Sequence, residues 1–343
     1  MRALACGARY SASFAPLYNP CLNLPLQLPG IFHMKLVCFD DYKLGVLKGA
    51  DTVVDITPVV RDAAQGDPRL LINAVIEKFA DYRGKIDKAV ADGKGIPLAS
   101  VKLRAPIPRP CNIDCMAVNY VEEMVPTPPP INGFHKSPNA IIGQGDTMIL
   151  PDAPATIFEG EAEVAVVIGK RAHNVKAADA MNYVFGYINF IDGSARELPP
   201  PGNTFYQAKS RETFAPIGPY LVTADEVADP HKLNVKLWVN GTLKQDFTTA
   251  DMANKIPRCI EWVSSIHHLD PGDIIATGTN HGGLNPFMDG DVVEIETEGL
   301  GRLKINVRDD LKRTWARETR LERHRKKLPP ISPQVSGKYA PAK

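Results

Sequence analysis

Two glutamates stand two residues apart at the start of an apolar segment, EGEAEVAVVIG, which contains Glu161 and Glu163. Alternate residues of a β-strand point to the same side, so the pattern predicts two carboxylates on one face of a strand. That face continues into Ala165 and Val167 and therefore runs from polar to buried. A short Glu-x-Glu sequence is also typical of a solvated strand. Here the apolar continuation indicates a central strand, where two like charges need a cation between them.

Asp192 ends a second strand-like segment, YINFIDG, whose preceding residues are mostly apolar. A carboxylate at the tip of a buried strand also needs a partner. Three such carboxylates suit Mg²⁺, Mn²⁺ or Ca²⁺ better than zinc, because hard ions take oxygen ligands and keep waters that a substrate can replace. We therefore predict a divalent-metal site built from Glu161, Glu163 and Asp192.

Cationic and small polar residues complete this set. Lys209, in QAKSRETFAPIGP, follows a Pro- and Gly-rich loop at residues 199–202. The segment GDIIATGTN ends a predicted strand in Thr277, Gly278 and Thr279, whose hydroxyl and backbone N–H groups are suited to binding a carboxylate. Taken singly, the lysine is typical of a surface and the Thr-Gly-Thr sequence of a turn, so both are candidates only together with the three carboxylates.

The elements that must position these residues are mostly strands, several of them separated by Gly or Asp-Gly turns. Residues 1–33 contain no acidic residue and read as an upstream extension, an organellar address or a packed arm. The predicted units are this N-terminal extension (1–33), a small N-terminal α+β domain (34–110), a catalytic domain (111–309), and a C-terminal helix and tail (310–343).

Helical periodicity is confined to a few segments. Residues 69–91 have apolar positions three and four apart, and AADAMNYVF and PRCIEWVSSIHHL are candidate helices of the catalytic domain. Residues 309–327 are strongly charged and predict a solvated or partner-facing helix, since acids accompany the bases.

Composition excludes several classes of protein. The 343-residue chain is 44% hydrophobic and 23% charged with a formal net charge of +1, so no bulk field favours nucleic acid or an anionic membrane. No apolar run reaches the ~18 residues that span a bilayer. The six cysteines lack zinc-finger spacing and indicate reduced thiols. We expect a cytoplasmic protein, or an organellar one if residues 1–33 are a transit peptide.

Several motifs occur in the order found in a known family. EGEAEVAVVIGKRAHNV, YVFGYINFIDGSARE, AKSRETFAPIGPYLVTADEVADPHKLNVKLWVNG and PGDIIATGTN together resemble the fumarylacetoacetate hydrolase family, from roughly Cys115 to Val307. The resemblance implies a mixed α/β, mainly β fold: a rolled, barrel-like mixed sheet with a small N-terminal α+β domain, usually as a homodimer.

The same resemblance assigns roles residue by residue. It implies Mg²⁺ or Mn²⁺ held by the three carboxylates named above, Lys209 on the substrate oxygens and Thr279 on the substrate carboxylate. Gly278 and Tyr120 join Thr279 as candidate substrate-binding residues. Arg196, in SARE, lies at a family turn and is as readily structural as substrate-binding.

The sequence departs from the family where hydrolytic members activate water. Their early motif has Asn-Tyr followed by a His and, three residues later, a Glu. This chain keeps Asn119 and Tyr120 but has Glu123 at the His position and Pro126 at the Glu position. Glu122 and Glu123 are adjacent, so in an extended segment only one of them can face the metal.

Two histidines are candidates to replace the missing base, because imidazole titrates in the required range. His135 lies in FHKSP, and His281 lies in TGTNHGG, close to Thr279. Either residue is equally typical of a surface or a satisfied buried histidine. We favour His281, with Glu123 and His135 as further candidates for catalysis.

The leading hypothesis is a divalent-metal-dependent hydrolase that cleaves a C–C bond in an acylpyruvate-like or related dioxo acid, through an enolate stabilised by the ion and Lys209. Such a role belongs to the catabolism of aromatic or oxo acids. One alternative is a decarboxylase or isomerase of a 2-oxo or hydroxymuconate-type acid at the same site, which needs no water-activating pair. Another is a catalytically weak metal-binding homologue.

Overall fold

Two long antiparallel strands carry the predicted metal ligands. The computed structural model describes residues 34–200, 202 and 205–341. Within these ranges every residue of the strand Ile157–Ile168 is buried, as its run of Val, Ile and Ala predicts for a central strand. The strands are β1 (Lys35–Phe39), β2 (Lys43–Leu47), β3 (Thr52–Asp55), β4 (Ile96–Pro97), β5 (Leu103–Arg104), β6 (Ile113–Met116), β7 (Gly133–His135), β8 (Ile141–Ile142), β9 (Thr147–Ile149), β10 (Ile157–Ile168), β11 (Val184–Arg196), β12 (Ala215–Thr223), β13 (Asn234–Val239), β14 (Thr242–Thr248), β15 (Ile274–Ala276), β16 (Val292–Thr297), β17 (Gly301–Arg308), β18 (Thr314–Trp315) and β19 (Gln334–Ser336).

These strands form one large mixed sheet and two smaller sheets. The large sheet has the order β4-β3-β2-β1-β12-β11-β10-β15-β6-β7, with β5 also on β1 and β8 also on β12. A five-stranded sheet has the order β14-β13-β16-β17-β9, and β18 pairs with β19. Most pairs are antiparallel, but β15 runs parallel to β6, β17 parallel to β9, and β8 parallel to β12. The prediction of a mainly β, mixed α/β fold is confirmed.

The first strands of the described chain join the same sheet as the predicted catalytic domain. β1 pairs antiparallel with β12, with Lys35 opposite Val222. A buried apolar cluster extends across this junction and contains Leu36, Ile188 and Leu221. The domain boundaries near residues 110 and 309 stay predictions, and the extension 1–33 lies outside the described residues.

The helices are short, and the longest, Phe79–Asp92, has 14 residues. The helix predicted over 69–91 is divided at Lys78, and the first seven residues of AADAMNYVF form a 3₁₀ helix, after which β11 begins. In the described ranges no helix combines the length and apolarity needed to cross a membrane. The α-helices are α1 (Thr57–Val60), α2 (Leu71–Glu77), α3 (Phe79–Asp92), α4 (Phe205–Lys209), α5 (Ile256–Ile266) and α6 (Arg320–Arg325), and the 3₁₀ helices are Arg61–Ala63, Pro68–Leu70, Leu98–Ser100, Pro138–Ala140, Ala177–Tyr183, Ala224–Glu226 and Thr249–Asp251.

The prediction of one charged helix over 309–327 is wrong. Arg313 is fully buried, and its guanidinium binds Asp309 and the carbonyl oxygen of Ala153. These long-range contacts override local helix propensity, so the segment forms β18 before the short α6 begins. Thr319 caps α6, because its side chain accepts the N–H of Glu322 while the Glu322 carboxylate accepts the N–H of Thr319.

Candidate metal centre and active site

Glu161, Glu163 and Asp192 lie together where β10 and β11 pair. Glu161 is directly opposite Asp192 in the antiparallel register, and Glu163 follows two residues along the same side of β10. One carboxylate oxygen from each residue lies within 4.8 Å of the other two. The three residues are buried, none with more than 6% of its surface exposed. Strand pairing therefore brings the predicted ligand set together.

Two glycines allow close packing beside these carboxylates. Gly160 and Gly193 are opposite each other, one position away from the Glu161–Asp192 pair. A Cβ on Gly160 would lie 2.4 Å from the ring of Phe287, and a Cβ on Gly193 would lie 2.9 Å from Phe214. Larger residues are excluded here, because the aromatic rings pack directly on the backbone of both strands.

Lys209 and Lys136 are the buried cations nearest to Asp192. Lys209, the last residue of α4, donates to Asp192 and to Glu161 Oε2, the latter at 3.0 Å. Lys136 Nζ donates to Asp192 Oδ1 at 2.6 Å and to the carbonyl oxygen of Gly193 at 3.0 Å. Burial alone would lower the pKa of Lys209, but the charges of Asp192 and Glu161 raise it above its ordinary value. Both lysines are thus held where they neutralise the carboxylates.

Arg196 joins the metal centre to a second ion-pair network. Its guanidinium binds Glu161 and also Glu159, the latter from Nε at 3.1 Å. Arg320 of α6 binds Glu159 from the other side. Burial would raise the pKa of Glu161, but Lys209 and Arg196 hold it well below its usual range. Glu161 is therefore ionised and ready to act as a ligand.

Glu163 has the opposite electrostatic character. Burial, together with the charges of Asp192 and Glu161, raises its pKa well above the usual value. Glu163 Oε2 accepts the N–H of Gly278 at 2.6 Å, whereas the buried Oε1 has no hydrogen-bond partner among the described residues. A divalent cation would satisfy this oxygen and relieve the repulsion between the carboxylates. The all-oxygen donor set fits Mg²⁺ or Mn²⁺.

Thr279 is held in place by Gln245. The Gln245 Nε2 group donates to Thr279 Oγ1 at 2.9 Å, and Gln245 Oε1 accepts the N–H of Ala162 in β10 at 3.0 Å. Among the described residues, the acceptor for the Thr279 hydroxyl proton is the carbonyl oxygen of Asn280, at a long distance of 3.5 Å. The hydroxyl is thus placed to donate to an incoming carboxylate.

His281 forms a pair with Glu122 rather than with Glu123. Glu122 Oε1 accepts the backbone N–H of His281 at 2.8 Å and lies 3.2 Å from His281 Nδ1. Glu122 Oε2 accepts the N–H of Gly282 at 2.8 Å. Burial opposes ionisation of Glu122, but hydrogen bonds from His281 and Gly282 bring its pKa below the usual value. The charged carboxylate therefore orients the imidazole, as a base requires.

One cavity collects the groups suited to chemistry. Its walls contain one predicted metal ligand, two predicted substrate-binding residues and two predicted catalytic residues, together with apolar side chains. The lining residues are Met116, Ala117, Val118, Phe134, Glu161, Arg196, Phe205, Lys209, Thr279 and His281.

Four predicted residues lie elsewhere or are already engaged. Glu123, a candidate for catalysis, is exposed and pairs with Arg325. His135 lies in a separate cluster with Asp114 and His267. Tyr120 is fully buried and packs edge-on against Phe247, with ring centroids 5.1 Å apart. Gly278 gives its N–H to Glu163 rather than leaving it for a substrate.

Sequence reasoning missed several residues of the site. Lys136 directly follows His135 in FHKSP, and a basic residue beside a candidate catalytic residue is a local feature that points to the site. Gln245 and Arg320 lie in polar segments with no local feature that points to the site. Their roles depend on contacts with residues far along the chain, to Thr279 and to Glu159.

Comparison with known proteins agrees with this geometry. Residues 112–308 match the family described as fumarylacetoacetate (FAA) hydrolase C-terminal. An uncharacterized protein of Pyrococcus horikoshii is 43% identical over 208 residues, covering 58% of this chain and 89% of that protein. A mitochondrial oxaloacetate tautomerase of Bos taurus is 41% identical over 219 residues, covering 60% of this chain and 69% of that protein.

Two solved structures are also similar. Maleylpyruvate hydrolase from Sphingobium sp. SYK-6, in complex with manganese(II) and pyruvate, has a TM-score of 0.72 and 36% identity, covering 80% of this chain and 99% of that chain. The 2-hydroxyhepta-2,4-diene-1,7-dioate isomerase from Mycobacterium marinum has a TM-score of 0.63 and 30% identity, covering 81% of this chain and 98% of that chain.

Proposed function

Because the chain belongs to the fumarylacetoacetate hydrolase family, whose matched region spans residues 112–308, we propose that it is a divalent-metal-dependent hydrolase. Its proposed reaction cleaves a C–C bond in an acylpyruvate-like or related dioxo acid. The observation that carries this proposal is the Glu122–His281 pair, since His281 lines the same cavity as Glu161, Lys209 and Thr279.

The His281–Glu122 pair supplies what hydrolysis requires beyond substrate binding. His281 takes a proton from water as the water oxygen bonds to the distal carbonyl carbon of the substrate. As the water oxygen adds, the carbonyl π electrons move onto the carbonyl oxygen. When the C=O bond forms again, the bond to the neighbouring carbon breaks, and its electron pair stays on that neighbouring carbon, in the pyruvate-like fragment, until it takes the proton from His281. Glu122 holds the imidazole in place and stabilises its positive charge, as a third group does in other nucleophile–base arrangements.

Glu161, Glu163 and Asp192 are the residues that would hold the ion. When bound there, a divalent ion supplies Lewis-acid polarisation of the two oxygens of a 2-oxo acid. Lys209 places a second positive charge beside Glu161 and Asp192, where it can stabilise charge that develops on the substrate. Thr279 donates to the substrate carboxylate and fixes its orientation.

A second cavity next to His281 suits the tail of the substrate. Val118, Met124 and Val125 form apolar walls, Arg320 contributes a guanidinium and His324 an imidazole. This mixture supports a substrate whose tail is partly apolar and ends in a carboxylate.

His324→Ala should raise KM for an acylpyruvate with a terminal carboxylate and leave KM for its methyl-ended analogue unchanged. Equal KM changes for both compounds would contradict this placement.

Product analysis tests the reaction itself. The protein is incubated with Mg²⁺ or Mn²⁺ and a panel of maleylpyruvate, fumarylpyruvate, simple acylpyruvates, oxaloacetate and hydroxymuconate-type acids, and products are followed by NMR. Two fragments, one of them pyruvate, are expected from at least one dioxo acid. A His281→Ala variant should lose fragment formation but still bind Mn²⁺. CO₂ release or a mass-neutral change across the panel, without fragments, would refute hydrolysis.

Tautomerisation or isomerisation is the second candidate. The likeness to a bovine oxaloacetate tautomerase and to a mycobacterial hydroxyheptadienedioate isomerase favours it. The same imidazole can move a proton between carbon and oxygen without adding water. The panel separates the two reactions, because a tautomerase speeds the approach of oxaloacetate to its keto–enol equilibrium without forming fragments.

The identity of the metal ion, the oligomeric state and the cellular location are also part of the proposed function. We propose Mg²⁺ or Mn²⁺ as the ion, supported by the donor set and by the manganese in the related hydrolase structure. We propose a homodimer and a cytoplasmic location, with a small-molecule oxo acid as the partner. Light scattering tests the homodimer, and cell fractionation tests the cytoplasmic location.

A further inference from the structure

A second cluster of potential metal ligands lies outside the proposed active site. Asp114 in β6 is directly opposite His135 in β7, and His267 follows the C-terminal end of α5. One ligand atom from each residue lies within 4.8 Å of the others. The cluster therefore offers two imidazole nitrogens and one carboxylate, in contrast to the three carboxylates of the first site.

The distances within this cluster match the spacing of ligands around a tetrahedral ion. His267 Nε2 lies 3.1 Å from Asp114 Oδ1, and His135 Nε2 lies 3.5 Å from the same oxygen. Zinc bonds of ~2.0–2.1 Å at tetrahedral angles place neighbouring ligand atoms about 3.3 Å apart. A small shift of the exposed His135 would bring all three groups onto one ion.

The surroundings orient the ligands. His267 Nδ1 lies 2.8 Å from the carbonyl oxygen of His268, which can only accept, so Nδ1 carries the proton. In the neutral ring, Nε2 then presents a lone pair towards Asp114, an arrangement that a cation between them would satisfy. A backbone acceptor on the remote ring nitrogen is typical of metal-binding histidines.

Asp114 gives an independent indication of a missing partner. Only 7% of its surface is exposed, and its Oδ2 atom has no hydrogen-bond partner among the described residues. A buried carboxylate oxygen without a partner is costly. The cavity beside it is lined by Phe134, Trp262 and Ile266 along with the cluster. His135 has 58% of its side chain exposed, so an ion here would be open to solvent.

We propose that Asp114, His135 and His267 form a second divalent-metal site, selective for borderline ions such as Zn²⁺ or Co²⁺. Mixed nitrogen and oxygen ligands favour these ions over Mg²⁺, which prefers oxygen alone. The three protein ligands leave at least one position for water. Phe134 lines both cavities, so this site lies directly beside the proposed active site and is separate from it.

Titration with Co²⁺ tests the second site, because its visible absorption reports nitrogen ligands. The full-length protein is titrated in excess Mg²⁺, and bound Co²⁺ is counted after equilibrium dialysis. His135→Ala and His267→Ala should each bind one Co²⁺ fewer than wild type at a given free concentration. Their affinity at that site should fall more than about a hundredfold, above the loss from removing an outer-shell partner. His268→Ala is the matched control and should behave as wild type.

Unchanged Co²⁺ binding in the histidine variants would refute the second metal site. Equal Co²⁺ counts and spectra in wild type, His135→Ala and His267→Ala would mean that the three residues form only a hydrogen-bonded network. Thermal unfolding and circular dichroism check the fold of each variant. His135 is largely exposed, so His135→Ala decides the outcome even if His267→Ala is unstable.

Discussion

Replacing Glu122 by glutamine tests whether the pair with His281 activates water. Glu122 Oε1 accepts the backbone N–H of His281 and faces its Nδ1, while Oε2 accepts the N–H of Gly282. Glutamine has the same shape but only one acceptor oxygen. Either Gly282 or both groups of His281 must therefore meet an NH₂ group, and the negative charge beside the imidazole is lost.

The expected loss can be estimated from both roles of the carboxylate. A positioned acid or base contributes about 10²–10⁴ to a rate, so kcat should fall at least about a hundredfold. This corresponds to about 2.7 kcal/mol in the activation barrier. KM should change by less than about threefold, because Glu122 does not line the substrate cavity. Loss of buried hydrogen bonds should also lower the free energy of unfolding by about 1–3 kcal/mol.

Glu123→Gln is the matched control, one residue away. Glu123 forms an exposed ion pair with Arg325, and such pairs contribute about 0–1 kcal/mol. We expect its kcat to stay within about twofold of wild type. Pyruvate release at saturating substrate gives kcat, and urea unfolding gives the stability of each variant. A folded Glu122→Gln enzyme with wild-type kcat would refute a role for the pair in catalysis.

Other predictions follow from the same geometry. Dialysis against EDTA should abolish turnover and added Mn²⁺ should restore it; full activity without metal would refute metal dependence. Glu163→Gln should weaken Mn²⁺ binding more than about tenfold by calorimetry, and unchanged affinity would exclude Glu163 as a ligand. Thr319→Ala should reduce the unfolding free energy by about 1 kcal/mol through loss of the α6 cap, measured in urea. Because the pKa of folded Glu122 is lowered, its carboxylate stabilises the fold fully above about pH 5 and loses that effect as pH falls through the folded pKa. The stability difference between wild type and Glu122→Gln should accordingly shrink from pH 7 to pH 3, and a constant difference would contradict it.

Features that depend on local periodicity were predictable from the sequence. Glu161 and Glu163 share one face of β10 because strand side chains alternate, which the spacing alone indicates. The apolar runs of β10 and β11 likewise predict central strands. The antiparallel register that puts Asp192 opposite Glu161 depends on contacts between residues distant in the chain, so the spacing of residues did not predict it.

The sequence did not indicate which of two adjacent residues belongs to the site. Glu122 and Glu123 are neighbours in the chain, as are His135 and Lys136. In each pair, the orientation of the backbone decides which of the two side chains faces the site. A shift of one residue moves a side chain to the opposite face of an extended segment. Glu122 and Lys136 turn inward, whereas Glu123 and His135 do not.

The Glu122–His281 pair was beyond sequence reasoning for another reason. Its members are 159 residues apart, and the family's motif places the base and its partner close together in the chain. Here the structure offers a carboxylate near the family's position and an imidazole from the loop after Thr279. A carboxylate and an imidazole can therefore form the same pair from different positions in the chain, and the spacing of residues does not show this.

Charge balance explains why the proposed site suits an ion and an anionic substrate together. In the buried network four acidic groups face four basic groups, so the centre is close to neutral when all are ionised. An added divalent ion leaves an excess of positive charge, which is costly in a low-dielectric interior. A 2-oxo acid cancels part of it through its carboxylate, and the charge that develops as the C–C bond breaks cancels the rest. Stabilisation that is complete only at that stage favours the transition state over the bound substrate. The acids are Glu159, Glu161, Glu163 and Asp192, and the bases are Lys136, Arg196, Lys209 and Arg320.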